Sequence, residues 1–225
     1  MRERLRIYKE LSKSGIVALV LISVFAGYLV GRPLDRPLGV LRLLETLAGV
    51  LLLASGSSAL NQYQERHLDR RMPRTAKRPL PSGRLGEREA LAFIVVGLAA
   101  GLGILGWLDL QLAGLGAAAV VLYNGLYTLW WKPKWSFAAI PGAVPGALPI
   151  LMGHVAARGD VRAPGGWYLF FILFMWQMPH FWSLALRYSD DYREGSIPTL
   201  PVKHGSGITL KHILLWCLAY VGVAL

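Results

Sequence analysis

Long apolar stretches dominate the chain and alternate with shorter polar ones. They run near 15–31, 39–60, 90–108, 111–131, 136–156, 166–187 and 210–225. Most approach the roughly 20 residues that carry a helix across a ~30 Å hydrocarbon layer. The pattern predicts an all-α polytopic membrane bundle with about seven transmembrane helices. Small residues are dense inside the stretches, as at Ala99-Ala100-Gly101 and from Gly114 to Ala119. They let helices approach closely where lipid offers no hydrophobic drive to associate. The first stretch has a basic front, but no clear cleavage site follows it and more spans come after, so it reads as a span rather than a signal peptide. Residues 1–225 read as a single integral-membrane domain. The last span stops at apolar Leu225, which suggests a C-terminally truncated chain.

Composition agrees with this pattern. Apolar residues make up 54% of the chain and charged ones 16%, against about 45–50% and about 25% in soluble domains. Disorder is excluded by the hydrophobicity, and a disulfide scaffold by the single cysteine, Cys217. The net charge of +11 leaves two classes, a membrane protein with basic loops or a nucleic-acid binder. The positions of the charges separate them. On one side of the spans lie Arg2, Arg4, Arg6, Lys9 and Lys13, then Arg66, Arg70, Arg71, Arg74, Lys77, Arg78, Arg84 and Arg88, then Lys132 and Lys134, then Arg187, Arg193, Lys203 and Lys211. The other side carries only Arg32, Arg36, Arg42, Arg158 and Arg162. The positive-inside rule then puts the N-terminus and the two longest loops in the cytoplasm. A nucleic-acid partner would not require such alternation. The two large basic loops follow the second and sixth spans, a spacing that hints at a four-span repeat.

The first basic loop opens with an acidic row. Asn61, Glu65 and Asp69 recur every fourth residue, so on a helix each step turns only ~40° and the three oxygens line one face over ~12 Å. Pro73 then ends the helix or begins a loop. Arg70, Arg71, Arg74, Lys77 and Arg78 follow. One reading is a solvated helix end that obeys the positive-inside rule. The other is a magnesium–diphosphate site, because magnesium takes one or two carboxylates plus substrate phosphates, and Arg and Lys neutralise the remaining phosphate charge.

The sixth span carries a second polar set. Gln177, His180, Arg187 and Asp191 are spaced to share one helical face, allowing for a kink at Pro179. Polar groups inside a span are functional candidates, since a charge at the helix centre costs about 2.5–3.5 kcal/mol. Asp190, Asp191 and Glu194 form a second acidic group on the same side as the first. Two such groups on different helices can hold two magnesium ions around one diphosphate.

Three stretches carry a family resemblance. They are NQYQERHLDRRMPRTAKRPLPSGR from Asn61 to Arg84, YNGLYTLWWK from Tyr123 to Lys132, and WQMPHFWSLALRYSDDYREGSIPTLPV from Trp176 to Val202. The chain resembles the UbiA-type intramembrane prenyltransferases, most closely the branch that farnesylates haem. The resemblance implies nine helices around a cavity open to the membrane, of which this chain supplies about seven. It implies magnesium-dependent transfer of a farnesyl group from farnesyl diphosphate to a vinyl group of haem b, giving haem O, with haem as substrate rather than cofactor. By the same resemblance Asn61, Glu65, Asp69 and Asp191 bind magnesium and carry catalysis. Arg74, Lys77 and Arg78 bind the diphosphate with help from Lys132, and Tyr127, Gln177 and His180 bind substrate. His180 falls on a haem-associated position. Location in a bacterial inner membrane follows, with contact to membrane lipid, no nucleic acid, and a haem A synthase or terminal-oxidase assembly partner.

The chain departs from the family in places. The second acidic motif is often Asp-x3-Asp, but Asp191 plus four is Gly195, so Asp190 or Glu194 is expected to substitute. Pro133-Lys134-Trp135 follows Lys132 where Arg and Thr are usual, and Pro141, Pro145 and Pro149 stand in span five where Gly is usual. These changes keep open an aromatic or quinone-precursor acceptor. From other classes, an anion transporter and a non-catalytic haem-binding assembly factor with His180 or His154 as ligand also remain. No broken-helix pairs in matching halves support the transporter.

Overall fold

A polar backbone in lipid must satisfy its own hydrogen bonds, which favours helix for every apolar run of this length. The computed structural model describes residues 2–35 and 37–225; Arg36, counted above with the sparse charges, lies outside them. Among the described residues there are helices and no strands. They are α1 (Arg2–Leu11), α2 (Ser14–Gly31), α3 (Val40–Asp69), α4 (Glu87–Leu108), α5 (Leu110–Val120), a π-helix (Val121–Trp131) that runs into α6 (Lys132–Lys134), α7 (Ala139–Arg158), α8 (Pro164–Arg187), α9 (Ser189–Glu194) and α10 (Leu200–Ala224). Among the described residues, seven helical segments are long and apolar enough to cross a membrane. The chain is a multi-pass membrane protein.

The last span begins earlier than the hydropathy suggests. Helix starts at Leu200 rather than near 210, because Leu200 and Pro201 are buried at its first turn. Gly205 then bends it, with φ 83° and ψ 169°. Pro145, Pro149 and Pro179 all sit inside continuous helix.

Small residues set the helix spacing. A side-chain carbon on Gly153 would collide with the Val24 carbonyl, and one on Gly27 with the Ile150 carbonyl, so α2 and α7 meet backbone to backbone. Gly101 plays the same part between α4 and α3, where a Cβ would come within 2.6 Å of the Leu53 nitrogen. Outward faces are apolar: Leu19, Ile22, Leu214 and Leu218 are all exposed, as suits a lipid solvent.

The short α1 crosses nothing. It buries Ile7 and Leu11 against Ala59, Leu80, Leu85, Ala90 and Ile94, at the basic ends of α3 and α4. Its other face is charged: Arg4 pairs with Glu89, and Arg84 pairs with Glu10. This strap and the 70–86 loop together roof the basic side.

Candidate active site at the basic end of the bundle

The acidic row lies inward. Asn61 is 2% exposed, Glu65 7% and Asp69 1%, so each needs a partner, since a buried polar group without a hydrogen bond is costly and a buried unpaired charge more so. Every partner comes from a different element. Asn61 Oδ1 accepts from the Lys13 ammonium at 2.6 Å, and its amide donates to Thr128 Oγ1 at 3.0 Å. Glu65 accepts from Lys132. Asp69 Oδ2 accepts from Arg78 at 2.7 Å, and the Asp69 carbonyl accepts from Thr75 Oγ1. Asp69 Oδ1 is buried with no partner among the described residues.

The π-helix brings Lys132 to Glu65. Asn124 exchanges hydrogen bonds with Ser57, at 2.6 Å to its side-chain oxygen and 2.9 Å from its amide to the Ser57 carbonyl. Thr128 Oγ1 donates to the carbonyl of Tyr123, five residues back. Such side-chain bonds compete with the ordinary i−4 ladder, and π turns of this kind gather at functional sites. Tyr123 and Tyr127 stack at 6.0 Å on this segment. Gly142 leaves room for the Tyr127 ring, which a Cβ there would strike at 2.6 Å.

One loop joins the two acidic groups. Arg78 reaches Asp69, while Arg74 reaches Asp191 of α9 at 3.6 Å and lies over the Tyr188 ring at 4.8 Å. Asp190 and Glu194 are not brought in. The Asp190 side chain is 87% exposed and pairs with Arg193, and Glu194 is exposed. Both therefore stand apart from the expected metal set. An acid at Gly195 would itself be crowded, because a Cβ there falls 3.0 Å from Met72 Sδ, and Met72 is buried.

The shared face expected of the sixth span also breaks up. Gln177 is buried and donates to the carbonyls of Ala143 and Leu173 at 3.2 Å. Its side chain ties α8 to α7 beside Gly146, which leaves no free donor for substrate. His180 is exposed and stacks on exposed Trp176 at 5.1 Å. Arg187 is exposed as well. Trp182 is the buried aromatic here, edge-on to His212 and Trp216. His154 is buried near the opposite end of the bundle, against Gly31, Gly165 and Gly166.

Lys13 escaped the sequence reading, where it counted only as one boundary charge. Its signal was its place as the last cation before the first apolar stretch. It occupies a left-handed conformation, φ 51°, between α1 and α2, which turns its side chain inward. Burial, reinforced by the nearby Arg78 and Lys132 cations, pushes its ammonium down to about 7. Asn124 and Thr128 also went unread, though two polar residues four apart inside an apolar span are a usable sign.

These oxygens can hold a hard cation. Among the described residues no three His, Cys, Asp or Glu side chains cluster, so a metal here would rely on one or two carboxylates, the Asn61 amide oxygen and oxygens of a bound phosphate, which is magnesium's habit. The orphaned Asp69 Oδ1 fits that demand. Lys13 now occupies the Asn61 oxygen and Arg78 the other Asp69 oxygen, Oδ2.

Known proteins resemble this arrangement. Residues 20–225 match the UbiA prenyltransferase family. A protoheme IX farnesyltransferase of Bdellovibrio bacteriovorus is 49% identical over 98% of this chain and 76% of its own length. One from Solibacter usitatus is 42% identical, over 98% and 78% respectively. Among solved structures, the apo UbiA homologue of Aeropyrum pernix K1 superposes with a TM-score of 0.80 at 22% identity, over 94% of this chain and 77% of that one. A UbiA homologue of Archaeoglobus fulgidus, bound to GPP and Mg2+, superposes with 0.74 at 18% identity, over 96% and 76%. At such identities these two speak for the fold.

Proposed function

The chain belongs to the UbiA prenyltransferase family, and from that premise we propose that it transfers a farnesyl group from farnesyl diphosphate to a vinyl group of haem b, giving haem O. The observation that carries this reading is the buried row Asn61, Glu65 and Asp69, met by cations from three separate elements. The acceptor follows from the relatives, which are protoheme IX farnesyltransferases matching nearly the whole chain. The 225 residues act as one integral-membrane domain in a bacterial inner membrane, with the basic side cytoplasmic. The product then serves a haem A synthase or a terminal-oxidase assembly step.

Asn61, Glu65, Asp69 and Asp191 hold magnesium, which when bound neutralises phosphate charge. Arg74, Lys77, Arg78 and Lys132 supply fixed positive charge where negative charge develops on the departing diphosphate. The C1–O bond of the farnesyl chain breaks, and its electron pair leaves with the diphosphate. The vinyl group of haem then attacks C1, water adds to the resulting cation, and a proton is released. Apolar helix faces keep water from the allylic cation until then. The stacked Tyr123 and Tyr127 rings offer electron-rich faces that steady it.

The test is product formation. Membranes carrying the protein, given magnesium, farnesyl diphosphate and haem b, are expected to yield hydroxyethylfarnesyl haem by mass spectrometry. Asp69→Asn should remove the product while the protein still folds, and EDTA should do the same to the unaltered protein. Near-normal turnover by Asp69→Asn would defeat the assigned role. Product from an aromatic or quinone-precursor acceptor, and none from haem, would defeat the assigned acceptor.

A further inference from the structure

Five acids lie within the seven spans. Four are paired at the basic end: Glu65 with Lys132, Asp69 with Arg78, Glu87 with Arg66 and Glu89 with Arg4. The fifth, Glu45 of α3, makes no ion pair among the described residues. It stands at the other end of the bundle, ~7 Å along its helix from the first residue. Helix packing fixes its level. A Cβ on Gly49 would meet Leu105 and Ile104 at 3.0 and 3.2 Å, so Glu45, one turn earlier in α3, lies level with Leu108 at the end of α4. There Glu45, Ala48, Gly103, Ile104, Trp107 and Leu108 line a groove of about 320 Å³. Trp107 is 88% exposed. Ala48 is exposed too, and nothing lies within 4 Å of a Cβ built on Gly103. These two small residues leave the groove open to the surroundings of the bundle.

An acid in a span calls for a partner, and here the partner has to come from outside the chain and carry positive charge. A tryptophan at a span end marks the level of the membrane–water interface, where lipid headgroups lie. A carboxylate and an indole face both attract a cation. A primary ammonium has three N–H donors for the carboxylate, whereas a trimethylammonium has none. Ile104 and Leu108 add apolar surface beside the charge, as an acyl chain requires. The volume lies at the small end for ligand sites and suits a headgroup better than a protein helix. A second copy of the chain is a poorer fit, because the cation nearest in sequence, Arg42, is already engaged with the Ala156 carbonyl at 2.7 Å and with Asp109 at 3.7 Å. We propose that this groove binds the primary ammonium headgroup of an ethanolamine phospholipid, with Glu45 as its ion-pair partner and Trp107 as its aromatic wall. The site lies at the opposite end of the bundle from the acidic row and owes nothing to the prenyl-transfer reading.

The probe is dioleoyl phosphatidylethanolamine, titrated into the full chain in detergent and followed by native mass spectrometry. Phosphatidylcholine and phosphatidylglycerol with the same acyl chains serve as comparisons. The first lipid adduct is expected to favour phosphatidylethanolamine over both. Glu45→Gln should weaken that adduct roughly tenfold, the scale of one charge-assisted hydrogen bond, and Trp107→Leu roughly threefold, the scale of an exposed cation–π contact. Gly103→Leu should fill the groove and remove the adduct with Glu45 still in place. Asp160→Asn alters an acid outside the groove that pairs with Arg162, and should leave binding within about twofold, since only distant and screened charge is lost. Phosphatidylethanolamine should also raise the melting temperature of the unaltered protein but not that of Glu45→Gln, because a ligand stabilises only the form that binds it. Equal adducts from the three lipids, an undiminished ethanolamine preference in Glu45→Gln, or equal weakening by Asp160→Asn would overturn the site. A dimer appearing in place of the lipid adduct, and lost in Glu45→Gln, would give the groove to self-association and overturn the headgroup assignment.

Discussion

Glu65 and Lys132 are both withdrawn from water, and each is tolerable only because the other is there. Lys132→Met would strand a buried carboxylate and is expected to cost roughly 3–5 kcal/mol. Pairing it with Glu65→Leu should return most of that loss without restoring turnover. Thermal denaturation in detergent reads the stability, and the haem product reads the activity. Lys13 poses a different question. Its ammonium sits on the one oxygen that Asn61 can offer, so it competes with a metal for that atom. Lys13→Met should therefore lower the magnesium concentration needed for half-maximal turnover, while raising the KM for farnesyl diphosphate through lost positive charge. An unchanged magnesium requirement would show that the two cations do not share the oxygen. The oxygen-bearing side chains of Asn61, Glu65 and Asp69 were legible from their four-residue spacing. Their partners were not, because Lys132 lies 67 positions from Glu65 and no local pattern links them.

At the scale of helices, glycine decides how closely pairs approach. Gly153 and Gly15 both lie in spans, but only Gly153 faces another backbone; nothing lies within 4 Å of a Cβ at Gly15. Gly153→Ala should destabilise by about 1–3 kcal/mol, the usual cost of overpacking, and Gly15→Ala should be neutral or slightly stabilising. A shared melting temperature for the two variants would refute the seam between α2 and α7. Apolar length located most spans, yet it placed the start of α10 ten residues late. Polar Lys203 and His204 hid a helix whose first turn is buried by tertiary contact. The π turn was likewise invisible, since it depends on Asn124 meeting Ser57 across two helices.

For the molecule as a whole, the charge asymmetry makes a directional prediction. In a Cys217→Ser background, Ser82→Cys should react with a membrane-impermeant maleimide only in inside-out vesicles, and Arg162→Cys only in intact spheroplasts. Both positions are exposed, so reaction from the opposite sides would reverse the proposed orientation. The same asymmetry explains why α1 matters. It closes the basic side over the 70–86 loop, where its Glu10 pairs with Arg84.

Amino-acid order by itself determined the membrane class, most span limits, the basic side and the acidic row, because hydropathy, charge placement and helical period act over a few residues at a time. Tertiary structure alone decided which charges meet. It turned Lys13 inward, joined Lys132 to Glu65, and used one loop to set Arg78 on Asp69 and Arg74 on Asp191. It also withdrew Gln177 into helix packing and left His180, Asp190 and Glu194 at the surface. Burial makes an unpaired charge costly, so each buried acid is settled by whatever cation the fold brings within reach, and that choice is made between elements far apart in the chain.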